Sequence, residues 1–471
     1  MIPPLDANST LQQVVAHLRS WREPAWLVGG TVRDRLLGRP IHDIDLAVPA
    51  GGLRLAQALA DALGAAYFPL DRARDVGRVV VRMADGTSFV IDVARLRGPN
   101  LEADLWARDF SINAMACDVH DPDLALIDPT GGQADLLAGQ LRAASPQAFV
   151  DDALRIVRGA RLATQFQLTW EPATRIQARL AAPNLTTISG ERIRDELMRL
   201  LSGASASQGV RQLDDLGALA VLLPEVKALQ GVTQYPPHRL DVYDHTLAVM
   251  DWRHTLRAHL APGPDRTSHH EAASPLPDSS AEQLATARAG FDEALTPFAA
   301  DLIAYLRVSA EQGYTRDDLL PWAALLHDIG KPRTRQVQPD GSSQFAGHEA
   351  AGSVLAQAVL QRLRFSRTAI HRVVRVCATH DQPGALARAS DAAVDRRARF
   401  LYFKRTDPVG VETALLSLAD HLAAWGPNLR PQRWRSRVRL VFQLLDTYFR
   451  QYDQVVAPAP LLDGTTLMAA L

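Results

Sequence analysis

Cysteine is almost absent from this chain: Cys117 and Cys377 are the only two in 471 residues. Two isolated thiols fit neither a disulfide framework nor a zinc ribbon, and they point to a reducing compartment, the cytoplasm. Net charge is equally scarce. The 51 Lys and Arg against 52 Asp and Glu leave a formal net charge of −1. No global field therefore draws the chain to nucleic acid, and any such contact has to come from local basic faces. No apolar run is long enough to span a bilayer, so no membrane partner is expected. Met1–Ser9 lacks the basic stretch followed by an apolar run that marks a secretory leader. Internal repeats are missing too, and nothing points to a protein partner. What is present is globular: 47% hydrophobic and 22% charged residues. The length exceeds one ordinary core and implies two to four domains.

The first third reads as mixed strand and helix. Ala25 to Val28 is a short apolar run that stops at Gly29-Gly30, and Thr31 to Leu37 reads as a helix closed by Gly38. Ile44, Leu46 and Val48 alternate with Asp43, Asp45 and Ala47 at strand period. Val79 to Met83 and Phe89 to Ala94 are two further β runs around an Asp85-Gly86 turn signal. Past Asp128-Pro-Thr-Gly-Gly132 the β signals fade, and from Val150 the pattern is amphipathic helix rich in Ala, Leu and Arg. Ala261 to Ser280, rich in Pro, Ser, Asp and His, reads as an exposed loop between helices.

The chemistry concentrates at Asp43-Ile44-Asp45. Residues two apart on a strand share a face, and two carboxylates on one face can hold a pair of Mg²⁺ ions that clamp an in-line phosphoryl displacement. An isolated Asp-x-Asp is more often a polar strand face. This one is preceded by Leu27-Val-Gly-Gly-Thr-Val-Arg-Asp34. Gly29 and Gly30 let a backbone approach a triphosphate closely, and the following helix aims its N-terminal amides and Arg33 at the same place.

Gly29-Gly30-x-x-Arg33-Asp34 followed by Asp43-x-Asp45 resembles the head domain of class II tRNA nucleotidyltransferases and bacterial poly(A) polymerases. Other motifs of that family come in order. Arg108-Asp109-Phe-Ser-Ile-Asn113-Ala-Met115 resembles the ribose-contacting segment, which usually opens with two arginines, the first being Ala107 here. Asp128 to Gly132 resembles the hinge after the head. Asp151 to Arg158, continuing to Arg161, resembles the base-reading helix, with Asp151 where Glu is usual. Ser189-Gly-Glu-Arg-Ile193 resembles the segment that braces it. The match spans most of residues 25 to 200 and implies addition of nucleotides to a tRNA 3′ end from CTP and ATP, with Mg²⁺ at Asp43 and Asp45. Read as one helix, Asp152 and Arg155 lie three apart on one face. Asp152 accepts from the amino group shared by cytosine and adenine, and Arg155 donates to the ring nitrogen. Uracil and guanine reverse that order, so they leave polar groups unpaired. Arg158 and Arg161 extend the basic side toward the triphosphate. Asp92, in an apolar strand, is either a third metal carboxylate or a structural Asp orienting Arg33 or Arg97.

A second set of motifs runs from about residue 235 to 425. His245 lies in a helical pattern. Leu325-Leu-His327-Asp328-Ile-Gly-Lys331, Gly347-His348-Glu349, Thr379-His380-Asp381 and Leu418-Ala-Asp420 follow. This order resembles HD-type metal-dependent phosphohydrolases. The resemblance implies that His245, His327, Asp328 and Asp420 ligate a metal, that His348 and His380 complete a second position, and that Lys331 meets a phosphate oxygen. Imidazole and carboxylate together suit a divalent transition metal or Mg²⁺ without choosing among them. The basic residues Arg396-Arg397, Lys404-Arg405 and Arg430 to Arg439 are either a tRNA-backbone track or solvated helix faces.

The expected fold is α+β. A polymerase-β-like nucleotidyltransferase head with a small mixed sheet spans 1–140, a helical neck with the base-reading helix 141–232, a helical HD domain 233–425 and a C-terminal helical segment 426–471. Between Asp92 and Arg108, family members that add the whole C-C-A sequence carry a longer flexible loop, typically opening with Arg followed by Glu and Tyr. Here Arg97-Gly98-Pro-Asn-Leu-Glu102 leads almost directly into Arg108. Losing the loop that shifts the base-reading pair implies a CC-adding enzyme. The alternatives are full CCA addition, A-only or poly(A) addition, and an HD phosphohydrolase whose head only binds RNA.

Overall fold

The computed structural model describes residues 10–83, 88–260, 281–311, 313–389, 394–459 and Met468. The chain divides into two compact units, residues 1–184 and 185–471. The Asp85-Gly86 turn and the Ala261 to Ser280 loop lie outside the described residues.

The first unit is built on a seven-stranded mixed sheet. Its strands are β1 (Trp26–Val28), β2 (Asp43–Val48), β3 (Ala66–Asp71), β4 (Val76–Arg82), β5 (Ser88–Arg95), β6 (Ala116–Asp118) and β7 (Leu126–Ile127), in spatial order β3-β4-β5-β2-β1-β6-β7. Only β2 and β5 run parallel, and their register sets Asp45 beside Asp92. The expected runs all appear as β1, β2, β4 and β5. The sequence reading missed β3, because Ala66–Asp71 sits at the sheet edge with Phe68 and Leu70 exposed. It therefore shows no buried alternation. Beneath the sheet, Leu27, Ile44, Leu46, Leu55, Leu59, Ile91 and Val93 form the core with the Thr10–Leu18 and Gly52–Leu63 helices.

The region read as one base-reading helix is two helices. Ala148–Asp151 is a single turn and Arg155–Gln165 a longer helix, with Asp152 between them in extended conformation, φ −155° and ψ 102°. Asp competes with helix by bonding nearby amides, and here the Asp152 carboxylate accepts the Leu154 N–H at 3.2 Å. Asp152 and Arg155 therefore do not share a helical face. The longer helix packs through Gly159: a Cβ there would lie 2.3 Å from the Trp170 ring and 2.7 Å from Phe110. Phe110 in turn meets Phe149 and Trp170 edge-to-face, with centroids 6.1 and 5.9 Å apart.

The second unit is almost wholly helical, as expected for an α+β chain with its strands in the first part. Six helices frame its candidate site: Val242–His259, Arg316–Leu326, His348–Arg362, Arg367–Thr379, Gly410–Trp425 and Pro431–Arg450. No helix among the described residues is long and apolar enough to cross a membrane.

Because a Cβ at Gly159 would press on the Trp170 and Phe110 rings, Gly159→Ala is expected to destabilise the first unit by about 1–3 kcal/mol. Urea denaturation of the variant checks this, and an unchanged midpoint would mean the rings relax freely.

Candidate functional site

In the first unit the motif glycines meet the carboxylate pair directly. Gly29 adopts φ +68°, a region L side chains rarely enter, and a Cβ there would also lie 3.2 Å from Asp45 Oδ2 and 3.1 Å from Arg108 Nη1. Asp43 is exposed and Asp45 lies partly covered behind it on β2. Burial, then the neighbouring Asp43, raises Asp45 to about 6, against the pull of Arg108 and Arg33. A carboxylate raised by burial and by its neighbour's charge is relieved by a cation beside it. The donor set fits a divalent metal held by oxygen ligands.

Around the pair runs a chain of polar contacts that joins separate motifs. Arg33 donates through Nε to Asp34 at 2.9 Å and through Nη1 to Asn113 Oδ1 at 2.6 Å, with its face 4.2 Å from the Phe166 ring centroid. Asn113 Nδ2 donates to Asp109 Oδ1 at 3.2 Å, and Arg158 Nη1 donates to Asp109 Oδ2 at 2.9 Å. Burial alone would raise the Asp109 carboxyl. Arg158, Asn113 and the Phe110 amide outweigh it and hold Asp109 at about 2. Arg155 is buried and donates to the backbone carbonyls of Arg108 and Ala107 at 2.9 and 2.8 Å. Position 107 thus contributes through its main chain, which an alanine supplies as well as an arginine. At least two of the five Arg155 donors are engaged in this way. Arg161 Nη1 donates to Gln165 at 3.2 Å.

Asp92 is taken up by a partner the sequence did not suggest. Arg78, across β4, grips it bidentately with both contacts at 2.8 Å. Neither Arg33 nor Arg97 is that partner. Arg97 instead donates its backbone N–H to Asp104 at 2.9 Å, and Asp104 also accepts Nε and Nη2 of Arg108 at 3.0 and 2.9 Å. Asn100 caps the Leu101–Trp106 helix at the Ala103 N–H, 2.9 Å away. The short connection between Asp92 and Arg108 is thereby pinned at both ends.

In the second unit six expected residues converge, joined by one that was not expected. Three groups place their ligand atoms within 4.8 Å of one another: His245, His327 and Asp328; Asp328, His348 and His380; and His238, His245 and Asp420. His238 follows Pro236-Pro237, seven residues before His245, in a stretch without helical pattern. Only its ring position, 4.7 Å from that of His245, reveals it. The Nδ1 atoms of His327, His348 and His380 lie 2.8, 2.9 and 2.8 Å from the carbonyls of Ala324, Phe345 and Cys377. Each Nδ1–H donates backward by three residues, so each Nε2 carries a lone pair toward the centre. Asp328 lies between, 3.2 Å from His327 Nε2, 3.5 Å from His348 Nε2 and 3.6 Å from His380 Nε2. Nε2 of His245 and His327 and Oδ1 of Asp328 are buried without a hydrogen-bond partner among the described residues. Orphaned lone pairs converging in a dry centre fit a divalent metal. Lys331 Nζ donates to Asp328 at 2.6 Å and to Gln234 at 2.7 Å, so its charge serves the ligand carboxylate. Gly330 lets the His327-Asp328 turn touch the next helix: a Cβ there would lie 2.1 Å from the His348 carbonyl oxygen.

Divalent-cation affinity at Asp43 and Asp45 is expected to be flat above about pH 7 and to fall roughly tenfold per unit below about 6. A cation binds the deprotonated form, and below its raised pKa Asp45 has to release a proton first. Mn²⁺ binding followed by electron paramagnetic resonance, as the difference between wild type and Asp45→Asn, measures this. A difference that does not change between pH 5 and 8 would exclude Asp45 as a ligand.

Known families match both units. Residues 25–142 match the Poly A polymerase head domain, 167–230 the probable RNA and SrmB-binding site of polymerase A, and 299–425 the HD domain. The A-adding tRNA nucleotidyltransferase of Deinococcus radiodurans is 33% identical over 455 residues, covering 95% of this chain and 87% of that protein. The CC-adding tRNA nucleotidyltransferase of Geobacter sulfurreducens is 48% identical over 177 residues, 38% of this chain and 40% of that one. A solved CCA-adding enzyme in complex with ATP shares the fold at a TM-score of 0.60 and 17% identity, over 98% of this chain and 88% of its own. With the paired carboxylates, the pinned arginines and these relatives in agreement, the chain belongs to the tRNA nucleotidyltransferase family.

Proposed function

We propose that this enzyme adds cytidines to the 3′ end of tRNA, using CTP without a nucleic-acid template and stopping at C-C. The observation that carries the reading is the connection between Asp92 and Arg108. Only residues 96–100 separate strand β5 from the Leu101–Trp106 helix, which Asn100 caps, and Asp104 pins Arg97 and Arg108. A segment held this way has no slack to act as a lever on the base-reading residues, so the pocket keeps one setting. The Geobacter relative supports the same reading. A second reading, addition of A alone, is favoured by the Deinococcus relative, whose likeness extends over nearly the whole chain.

In this reading Asp43 and Asp45 hold Mg²⁺, which supplies the charge neutralisation that phosphoryl transfer needs. Gly29 admits the triphosphate beside Asp45. Arg33, Arg108, Arg158 and Arg161 face its oxygens. Arg155, fixed by two backbone carbonyls, offers its remaining donors to the ring nitrogen of cytosine, and Asp152, in its extended turn, accepts from the amino group. Positioning, not bond-making by the protein, carries the reaction. The HD residues would hold a divalent transition metal or Mg²⁺ for phosphoester hydrolysis. We also propose the division into head (1–140), neck (141–232), HD domain (233–425) and C-terminal segment (426–471). Two buried, unpaired thiols support a cytoplasmic setting.

The deciding experiment incubates the enzyme with tRNA lacking its terminal C-C-A, in CTP and ATP together. The expected product ends in C-C. A product extended through the terminal A excludes the CC-adding reading, and activity only on tRNA already ending in C-C would establish A addition. Asp43→Ala and Asp45→Ala are each expected to lower turnover by more than about 10³-fold while leaving tRNA binding within a few-fold. Near wild-type turnover at saturating Mg²⁺ would refute the metal assignment. His327→Ala is expected to abolish metal-dependent phosphate release and leave nucleotide addition intact, because the two sites share no ligand. Loss of both activities in a folded variant contradicts that independence.

A further inference from the structure

Beside the HD ligands lies a cavity of about 420 Å³, large enough for a nucleotide. One side presents His238, His380 and Asp420. The rest of the lining is rich in arginine. Arg430, Arg433 and Arg437 line it from the Pro431–Arg450 helix and the residue before it, at spacings of three and four that keep them on one helical face. Arg388 joins them from the Gln382–Ala389 helix. The lining holds four arginines and two carboxylates: Asp381, paired with Arg388 at 3.1 Å, and Asp420, which stands 3.1 Å from His245 Nε2 in the ligand cluster. The Arg437 Nε is buried without a hydrogen-bond partner among the described residues, and such a donor is costly unless a ligand meets it. Asp381, Arg388 and Arg437 converge over Gly384, whose added Cβ would lie 2.8 Å from Asp381 Oδ1 and 3.3 and 3.6 Å from the two guanidinium nitrogens. The helix that carries Arg433 and Arg437 begins beyond residues 299–425, the stretch matched by the HD family.

We propose that Arg437, with Arg388 and Arg433 at the rim, forms a second phosphate subsite of the HD cavity, so that this site takes a nucleotide carrying a phosphate besides the one at the metal ligands. The proposal rests on the reading of the HD residues as a phosphohydrolase site only for what happens at the first phosphate. The second phosphate is either contiguous with the first or on the far side of the ribose.

Equilibrium dialysis of the full chain in chelator, with labelled AMP, ADP and adenosine 3′,5′-bisphosphate, tests this without metal-dependent turnover. Binding to the head contributes a component that changes at Arg437 leave untouched. Arg437→Gln is expected to weaken ADP or adenosine 3′,5′-bisphosphate by about tenfold or more and AMP by less than about threefold, with Arg437→Lys retaining most of the affinity. Which ligand loses more identifies the contiguous or the separated arrangement. Should Arg437→Gln fail to fold, Arg433→Gln, at the exposed rim, is expected to weaken the same ligand several-fold. Equal losses for AMP and the two-phosphate ligands, or no loss, would overturn the subsite. Arg437-dependent binding without phosphate release under any divalent metal would uphold the subsite and remove the hydrolysis reading.

Discussion

Everything at the nucleotidyl-transfer site hangs on one buried charge, the carboxylate of Asp109. Buried carboxylates are costly unless paired and hydrogen-bonded. Asp109 is both, through Arg158, Asn113 and the Phe110 amide. Because Asn113 also receives Arg33, and Arg33 binds Asp34, one uninterrupted chain of contacts ties the first glycine motif to the helix that begins at Arg155. Each arginine so tethered has lost most of its rotamer freedom before any substrate arrives. That lowers the cost of binding a triphosphate and fixes where its oxygens lie. The aromatic packing of Phe110, Phe149 and Trp170 against Gly159 holds the same helix from its other side.

The second unit solves a different problem with the same device. Asp328 is buried among four imidazoles and Lys331, and His327, Lys331 and His380 hold its carboxyl well below the usual range against the effect of burial. Three of those imidazoles are oriented by carbonyls three residues upstream, those of His327 and His380 within the last turn of a helix and that of His348 just before its helix begins. Sites on rigid elements keep their geometry when loops move. Arginines from a helix beyond the HD domain then give the cavity an electrostatic character that the ligand cluster alone lacks.

How much of this was legible in the sequence depends on whether a residue's partner was near in the chain. The carboxylate pair on β2, the glycine turn and the motif histidines all carried a local pattern: strand period, Gly-Gly, adjacent His-Asp. Asp152 was misread because an apolar, arginine-rich run looked continuous, and the sequence pattern alone did not reveal that the Asp152 carboxylate would take the Leu154 amide and break the helix. His238 carried no pattern. The role of Arg78 depended on strand β4 lying beside β5, a register fixed by the hairpin and invisible to a residue-by-residue reading.

The sequence by itself determined which chemistries are available: the acceptors, donors and lone pairs, and the order of elements that carries them. Tertiary structure decided which groups are spent and which remain to act. Arg155 is anchored to two backbone carbonyls, Asp92 is consumed by Arg78, Lys331 serves Asp328, and Arg437 is left with a donor unmet. A hydrogen bond forms only within about an ångström of a fixed distance. The Arg155 pairings join residues 47 and 48 positions apart and the Asp92–Arg78 pair bridges two strands, and only the packed chain brings such groups within that reach.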